Sequence, residues 1–291
     1  MRCDFFRPGS EAVLRWKKMK EKDVPQIENV LRDRENDCVT ACGRFLEREV
    51  LRENVWLLRA GKEDIAGLLI NSRSTLIPVL CGLKEIPDPD FLKSFFRIKK
   101  IHSVQGIRDE VYIFENALEK MGKTIVDIFD YDLMTLDNLP LIKDKAPSQM
   151  NLVLRIPQLV DLDGIAPLQA AYEQEEVLPK GSVFSPAASR INIANIIKKR
   201  QILAAELNGK LIGKINVSSV SFTRFLIGGV YVHPDFRGMG IARRMAAEFT
   251  SSLISQGKGI TLFVKKSNLA ARRLYTGLGF SVRKDYRITY Y

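Results

Sequence analysis

The segment from residue 228 to residue 242 constrains the fold more than any other part of the chain. It contains the β-prone run Val230-Tyr231-Val232, which Pro234 ends because proline has no amide to donate to a sheet ladder. Glycines follow at positions 238 and 240. Beyond them, apolar residues recur at helical spacing, at Ile241, Ala242, Met245, Ala246, Phe249 and Leu253. The segment therefore predicts a strand, a glycine turn and a helix.

A glycine turn that leads into a helix can hold an anion. Glycines let a ligand approach the backbone, and the free amides at the helix start attract negative charge. The chain lacks the three spaced glycines of a dinucleotide site and the Gly-Lys-Ser/Thr of a nucleoside triphosphate loop. It has instead Arg-x-x-Gly-x-Ala at Arg237, Gly240 and Ala242, preceded by Val232-His233-Pro234.

A second block, residues 262–280, supports a particular interpretation of this loop. It presents Asn268, Tyr275 and Leu278-Gly279-Phe280 in that order, one helix and one strand after the first block. Together the two blocks resemble the acetyl-CoA-binding motifs of the GNAT acetyltransferases. The resemblance implies a mixed α/β (α+β) chain with the GNAT acyl-CoA N-acyltransferase fold in its C-terminal half. It also implies acetyl-CoA or CoA as co-substrate, and no metal.

The resemblance implies roles for individual residues as well. The sheet would splay at the strand Leu226 to Val232, the strand would pair with the pantetheine arm, and the amides of residues 238–243 would hold the pyrophosphate. The expected cofactor contacts are Val230, Tyr231, Val232, Arg237, Gly238, Met239, Gly240, Ile241, Ala242, Arg243, Asn268 and Tyr275.

Tyr275 is the predicted general acid. It lies seven residues after Asn268, nearly two helical turns, so both share a helix face. A phenol has a reference pKa of ~10, close to that of a leaving thiol. The alternatives are a core aromatic residue for Tyr275 and a plain helix cap for Asn268.

The general base is the least determined part of the predicted site. Glu206, on a predicted hairpin with an Asn208-Gly209 turn, is the catalytic candidate. Three alternatives precede that hairpin, and a water or no base at all would also serve an amine of low pKa. These three alternatives are Glu173, Glu175 and Glu176.

The charge of the chain lies in one half. Residues 1–147 carry 25 Lys and Arg against 25 Asp and Glu, whereas residues 148–291 carry 20 against 9, which accounts for the whole net charge of +11. A phosphate-bearing cofactor explains part of this excess. A nucleic-acid partner would explain the rest, although no basic motif interleaved with aromatic residues supports one.

Two domains are predicted. Residues 1–147 form an N-terminal α/β, GNAT-like domain, residues 148–291 form the acetyltransferase domain, and a linker runs from Leu139 to Ser148. Both halves begin strand, helix, hairpin, which indicates a weak internal duplication. The matched positions are Arg15 with Arg155, Asp23 with Asp163, and Gly67 with Gly213. This arrangement resembles a bacterial two-domain branch of the family.

The first half is expected not to bind the cofactor. Its nearest counterpart of the loop, Ser103 to Arg108, has one glycine and is followed by Asp109 and Glu110. Carboxylates at a helix start repel a phosphate. Elsewhere in this half the pattern predicts a helix from Phe45 to Leu51, a hairpin around Gly61-Lys62-Glu63-Asp64 and a strand from Ile101 to Val104.

Several protein classes are disfavoured by composition. No apolar run approaches the ~20 residues of a membrane span, and no apolar signal region follows the first residues, so we expect a cytoplasmic protein without a membrane partner. The four cysteines, Cys3, Cys38, Cys42 and Cys81, are expected to be reduced thiols rather than a disulfide or metal pair. The sequence leaves the oligomeric state open.

The leading functional hypothesis is an acetyl-CoA-dependent N-acetyltransferase that acts by direct attack of a small-molecule or peptide amine in a ternary complex. The alternative is a non-catalytic acetyl-CoA-binding module that regulates a partner through the first half. A third hypothesis, a transferase acting on a nucleic-acid-bound substrate, depends on Lys198-Lys199-Arg200 and the charge asymmetry.

Overall fold

The computed structural model describes residues 14–47, 54–60, 64–83, 85–141 and 151–291. Contacts divide the chain into two compact units. The first ends at Leu133 and also takes Arg283–Tyr291, and the second is Met134–Val282. The boundary predicted at residue 147 stays a prediction about folding domains, and part of the predicted linker, residues 142–148, lies outside the described residues.

The first unit is built on a mixed sheet. Its strands lie in the order β1-β2-β3-β4-β5-β12-β6, and the pairs from β1 to β5 are antiparallel except for the parallel pair β4–β5. The strands are β1 Leu14–Lys18, β2 Val55–Ala60, β3 Asp64–Ser72, β4 Thr75–Leu80, β5 Ser103–Ile107, β6 Asp127–Leu136 and β12 Ser281–Tyr290. The unit boundaries fall within β6 and β12.

Four described helices complete the first unit: α1 Val24–Asp33, α2 Glu35–Leu46, α3 Pro89–Ile98 and α4 Arg108–Lys120. Ile27 and Leu31, four residues apart on α1 and therefore on one helix face, are fully buried. An aromatic and aliphatic cluster that includes Trp16, Trp56 and Phe114 forms the core.

The second unit repeats this order of strands. Its strands lie in the order β11-β10-β9-β8-β7, antiparallel except for the parallel pair β10–β11. They are β7 Leu152–Arg155, β8 Ile202–Leu207, β9 Lys210–Val220, β10 Arg224–Val232 and β11 Gly259–Lys265. The helices are α5 Leu162–Tyr172, α6 Pro186–Lys198, α7 Ile241–Ile254 and α8 Leu269–Gly277, and a wide helical turn, Glu173–Val177, extends α5.

Both faces of the second sheet are covered by helices. Along β8, Leu203 and Ala205 belong to the cluster that packs against α7 and α8, whereas Ile202 and Ala204 belong to the cluster that packs against α5 and α6. Successive strand side chains point to opposite faces, so this alternation gives the sheet two buried faces. The predicted mixed α/β fold class is thereby confirmed.

The aspartate match proposed between the two halves requires a correction. Asp23 ends a 3₁₀ turn and its side chain accepts from the Lys20 amide at 2.8 Å, and Asp161, not Asp163, does the same with the Gln158 amide at 2.7 Å. The count of residues was misleading because its starting arginines are not equivalent. Gly67 faces Leu58, whose partner on β1 is Trp16, and Gly213 faces Ala205, whose partner on β7 is Leu154, so Arg15 corresponds to Val153 and not to Arg155.

Some predicted elements differ from the structure. The helix predicted from Phe45 to Leu51 is instead α2, which ends at Leu46, and residues 48–53 lie outside the described part of the chain, as do hairpin residues 61–63. The strand predicted from Ile101 to Val104 begins and ends later, as β5. β12 was not predicted at all; it pairs antiparallel with β5, with Tyr286 opposite Ile107. Within the described residues, no helix has the length and apolarity to cross a membrane.

Candidate active site

The strands β10 and β11 pair along only the first half of their length. Their parallel pairing runs from Arg224 opposite Gly259 to Ile227 opposite Leu262, whereas β10 continues to Val232 and β11 to Lys265. The second half of β10 is thus outside the ladder on its β11 side. This is the splay that the resemblance implied, and it leaves strand backbone for a ligand to pair with.

On its other side, β10 carries a bulge. Gly228 lies opposite Asn216 and Tyr231 opposite Lys214, so Gly229 and Val230 together face one residue of β9. Gly229 has a φ of 59°, and an added Cβ would lie 2.1 Å from the Asn216 Oδ1 atom. Only glycine fits this position, because both the backbone conformation and the space exclude a side chain.

The loop after β10 forms an open cradle. Gly238 and Gly240 have φ values of 79° and 75°, and a Cβ added at either would meet no described atom within 4 Å. α7 begins directly after Gly240, so the amides of its first turn have no partner within the helix. A positively polarised, side-chain-free surface of this kind fits a pyrophosphate.

Arg237 ties the loop to the acidic turn after α5. Its Nε atom donates to the Val232 carbonyl at 3.0 Å, and its Nη2 atom donates to the Glu175 carboxylate at 2.8 Å. The guanidinium group also lies 5.2 Å from the centre of the Tyr231 ring. The hydrogen bond from Arg237 lowers the pKa of Glu175. One of the three acids considered as a base is therefore held as an ion pair at the loop.

The other predicted contact residues of the loop differ in which of their atoms are accessible to a ligand. Ile241 is buried in the core, so only its backbone can face a ligand, whereas Met239 is exposed. The Arg243 Nη2 atom donates to the Gly277 carbonyl at 3.3 Å. Its guanidinium group thus lies at the end of α8, where cations are favourable, rather than being free for phosphate.

Asn268 is the N-cap residue of α8 and lines an open cleft of about 510 Å³, whereas Tyr275, further along α8, is not part of that lining. Asn268 caps the helix, since its Oδ1 atom accepts from the Ala271 amide at 3.0 Å, and its Nδ2 atom approaches Glu176 at 3.5 Å. Glu176 also pairs with Lys265 at 3.3 Å. The cleft is lined by Glu175, Glu176, Lys265, Ser267, Asn268, Leu269 and Ala270.

Tyr275 is almost completely buried. Its ring packs edge-to-face on Phe280 at 5.4 Å. Burial raises the pKa of Tyr275, with further contributions from Tyr172 and Glu176. The phenol therefore stays protonated at neutral pH, as a proton donor must.

Glu206 lies in a different cluster. Its carboxylate accepts from the Arg155 Nε atom at 2.7 Å, and Arg155 also bonds Asp161. The hydrogen bond from Arg155 lowers the pKa of Asp161 to about 2. Glu206 is thus committed to an ion-pair cluster and is absent from the lining of the cleft.

Sequence analysis missed Lys214 and Tyr172. Lys214 is fully buried; its Nζ atom donates to the Gly229 carbonyl at 2.7 Å and to Asn216 Oδ1 at 3.0 Å, and it lies 4.8 Å from the centre of the Tyr172 ring. Burial lowers the pKa of Lys214 to about 7, against an opposing effect of Glu173. The available signal was the placing of Lys214 and Asn216 at alternate positions within an otherwise apolar run.

The described part of the first unit has no equivalent cradle. Gly213 lies opposite Val232 and Gly67 lies opposite Leu80, so the counterpart of the loop follows β4, not β5 as predicted. There Asp88 caps α3 by accepting from the Phe91 amide at 3.2 Å. A capping carboxylate occupies the place where an anion would bind.

Side chains also fill the splay of the first unit. β4 and β5 pair only at Thr75 opposite Ser103 and Leu76 opposite Val104. Beyond them, Glu110 accepts from the Leu80 amide at 3.1 Å, Arg34 donates to the Leu80 carbonyl, and Arg34 pairs with Glu110 at 2.6 Å. The backbone that a pantetheine arm would need is therefore already bonded.

We expect acetyl-CoA to bind with a stoichiometry of one per chain. The cradle and the open splay occur in the second unit, whereas Asp88 and the Arg34–Glu110 pair occupy the same places in the first. Isothermal titration of the full chain measures the number of sites directly. A stoichiometry of two would contradict the prediction. The full chain is required because a fragment ending at residue 147 lacks β12.

The splayed strands, the strand bulge and the glycine cradle all lie in the second unit. Residues 169–280 match the model of the acetyltransferase (GNAT) family. This match covers the second unit from the end of α5 to the start of β12, and it confirms the resemblance of the second half to that family.

Comparisons with individual acetyltransferases also show similarity to this chain. N-alpha-acetyltransferase 20 of Dictyostelium discoideum is 36% identical over 86 residues, which is 28% of this chain and 49% of the relative; the chain thus spans about half the length of the curated relative it matches. An acetyltransferase of the GNAT family from Colwellia psychrerythraea has a TM-score of 0.60 at 14% identity, covering 95% of this chain and 98% of that chain. A GCN5-related N-acetyltransferase from Sphaerobacter thermophilus has a TM-score of 0.61 at 20% identity, covering 95% and 94%. At these identities the structures show the fold alone.

Among the described residues, no group of three or more His, Cys, Asp or Glu side chains is arranged to hold a metal ion. The described cysteines Cys38, Cys42 and Cys81 form no disulfide with one another, and the Sγ atoms of Cys38 and Cys42 lie 3.6 Å apart. Cys3 lies outside the described part of the chain.

Proposed function

We propose that the protein is an N-acetyltransferase that transfers an acetyl group from acetyl-CoA to a primary amine by direct attack in a ternary complex. The observation that carries the proposal is the open splay of β10 and β11 ending at the Gly238–Gly240 cradle. The family match over residues 169–280 and the N-alpha-acetyltransferase relative support the same activity.

The cradle and the splayed strand fit two adjoining parts of acetyl-CoA. The amides from Gly238 to Arg243 would hold the pyrophosphate, and the backbone of Val230 and Val232 would pair with the pantetheine arm. Tyr231 contributes backbone and the ring that supports Arg237. Acetyl-CoA supplies an activated thioester, and the remaining chemistry belongs to the side chains around the splay.

The reaction requires one proton to leave and another to arrive. The amine nitrogen forms a bond to the acetyl carbon and gives up a proton, and the carbon–sulfur bond breaks to release a thiolate that takes a proton. Tyr275 is the proposed donor to that thiolate. We assign the acceptor of the amine proton to the acidic turn after α5, where Glu176 lies beside Asn268 in the lining of the cleft, rather than to Glu206, which is not part of that lining.

A thiol-release assay tests the proposed function. Purified protein is mixed with acetyl-CoA and a panel of amines, peptides and aminoglycosides, and free CoA is measured with a thiol reagent. We expect acceptor-dependent release with at least one class of amine. Tight acetyl-CoA binding without release for any acceptor would favour the alternative, a non-catalytic acetyl-CoA-binding regulatory module.

A further inference from the structure

The burial of the Lys214 ammonium group is energetically unfavourable, and the packing of the core gives no reason for it. Its side chain is fully buried on β9, and burying an ammonium group is costly unless its donors are all satisfied. Its Nζ atom has two hydrogen-bond acceptors, the Gly229 carbonyl and Asn216 Oδ1, and the face of the Tyr172 ring takes the third direction. A buried lysine that donates to the carbonyl of a bulge residue indicates that it restrains the backbone at that residue.

The carbonyl of Gly229 accepts a hydrogen bond from the Lys214 side chain at 2.7 Å. Burial raises the pKa of Tyr172, and a hydrogen bond with the Gly229 backbone opposes that rise. The bulge is therefore held by side chains of β9 and α5 where the regular strand ladder is interrupted. Its neighbour Val230, the other residue of the bulge, adjoins the splay where the pairing of β10 with β11 has ended.

The first unit provides an internal comparison. Leu68 takes the place of Lys214, because Leu68 lies opposite Val79 as Lys214 lies opposite Tyr231. In that unit the pairing of β3 with β4 runs without a shift from Ser72 opposite Thr75 to Gly67 opposite Leu80. The lysine and the bulge thus occur together in the second unit, and the first unit has neither.

We propose, on the basis of the proposed function, that Lys214 and Tyr172 act as a clamp that holds the Gly229 bulge and thereby presents the Val230 backbone to the thioester carbonyl of acetyl-CoA. Lys214 is then a positioning residue, since it acts through the strand. Burial lowers the pKa of Lys214, and the negative charge of Glu173, directly after α5, opposes this and favours the protonated form.

The test variant is Lys214→Met in the full chain, because methionine has a similar length and no donor. Thr250→Val is the matched control: Thr250 is equally buried in the second unit, and its hydroxyl donates to Ala246 within its own helix at 2.7 Å. Three quantities are measured: amide exchange at Val230 and Tyr231 in the ligand-free protein, the Kd of CoA, and the stretching frequency of the bound ¹³C-labelled thioester carbonyl.

We expect Lys214→Met to raise exchange at the bulge at least about tenfold, since the clamp no longer restrains local opening. The frequency shift of the bound thioester should be lost, while the Kd of CoA should stay within about threefold because the cradle is intact. Thr250→Val should match the parent in all three. A purely structural lysine would leave both the exchange and the frequency unchanged, and that result overturns the proposal.

Two further measurements test the proposal if Lys214→Met does not fold or if the parent protein does not bind acetyl-CoA. If Lys214→Met does not fold, Tyr172→Phe retains the lysine and the ring but loses the hydroxyl, and it should raise bulge exchange in the same direction; unchanged exchange overturns the clamp. If the parent protein does not bind acetyl-CoA, the proposed function fails, and the exchange measurement on ligand-free protein still decides whether Lys214 holds the bulge.

Discussion

Gly240→Glu should raise the Kd of acetyl-CoA at least about 100-fold, since like-charge juxtaposition at a binding surface costs several kcal/mol and each 1.4 kcal/mol is tenfold in affinity. Gly240 is the N-cap residue of α7, and its place beside the helix start is open. A glutamate there would project a side chain and a negative charge where the backbone is expected to meet the pyrophosphate. Isothermal titration measures the effect.

Two matched variants separate the charge from the backbone strain. Gly240→Ala tests strain alone, at about 1–2 kcal/mol for a left-handed residue that is not glycine. Gly257→Glu introduces the same side chain at a glycine with a φ of 81°, also open, just past the other end of α7. We expect Gly257→Glu to keep parental affinity. A folded Gly240→Glu variant with unchanged affinity would remove the cradle from the proposed site.

Tyr275→Phe should lower kcat by at least about tenfold, because general acid catalysis contributes typically 10²–10⁴-fold and water can replace part of it. The ring and its contact with Phe280 remain, so the Kd of acetyl-CoA should change little. The loss of one buried hydroxyl should lower the free energy of unfolding by ~1 kcal/mol. The measurements are kcat with the acceptor found by thiol release, the Kd and the Tm.

Tyr286→Phe is the matched control for the loss of a buried hydroxyl. Tyr286 is also buried, its hydroxyl lies 3.5 Å from Thr40 Oγ1, and it belongs to the first unit. We expect Tyr286→Phe to shift the Tm by a similar amount and to leave kcat unchanged. If Tyr275→Phe lowers only the Tm and keeps kcat within about twofold, Tyr275 is a core residue and solvent supplies the proton.

Local patterns predicted the parts of the site that are themselves local. The strand, the glycine turn and the helix of residues 228–242 were evident because each depends on its own residues: β-prone side chains, glycines with positive φ, and apolar residues at helical spacing. The splay required the family resemblance, since no residue of β10 indicates where its pairing with β11 ends.

Features that depend on distant residues were not predictable in the same way. A lysine in a strand is normally a solvated residue, and only the packing of α5 against β9 and β10 reveals that Lys214 is buried. Glu206 was a reasonable base on the strand pattern, but its partner Arg155 lies on β7, far away in sequence. β12 carries mixed polar and charged residues, and its place beside β5 is set by long-range pairing.

The assignment of Arg283–Tyr291 to the first unit imposes an order on events during synthesis. The ribosome releases β1 to β5 early, yet the strand that pairs with β5 is translated after the entire second unit. Until then, the β5 edge has no β12 partner, and unpaired strand edges are prone to associate with other chains. The second unit can thus form its strand pairs before β12 is available to the first unit. A premature stop before residue 283 would therefore leave the sheet of the first unit, which contains the N-terminal strands, incomplete, whereas the second unit would keep its strands β7 to β11.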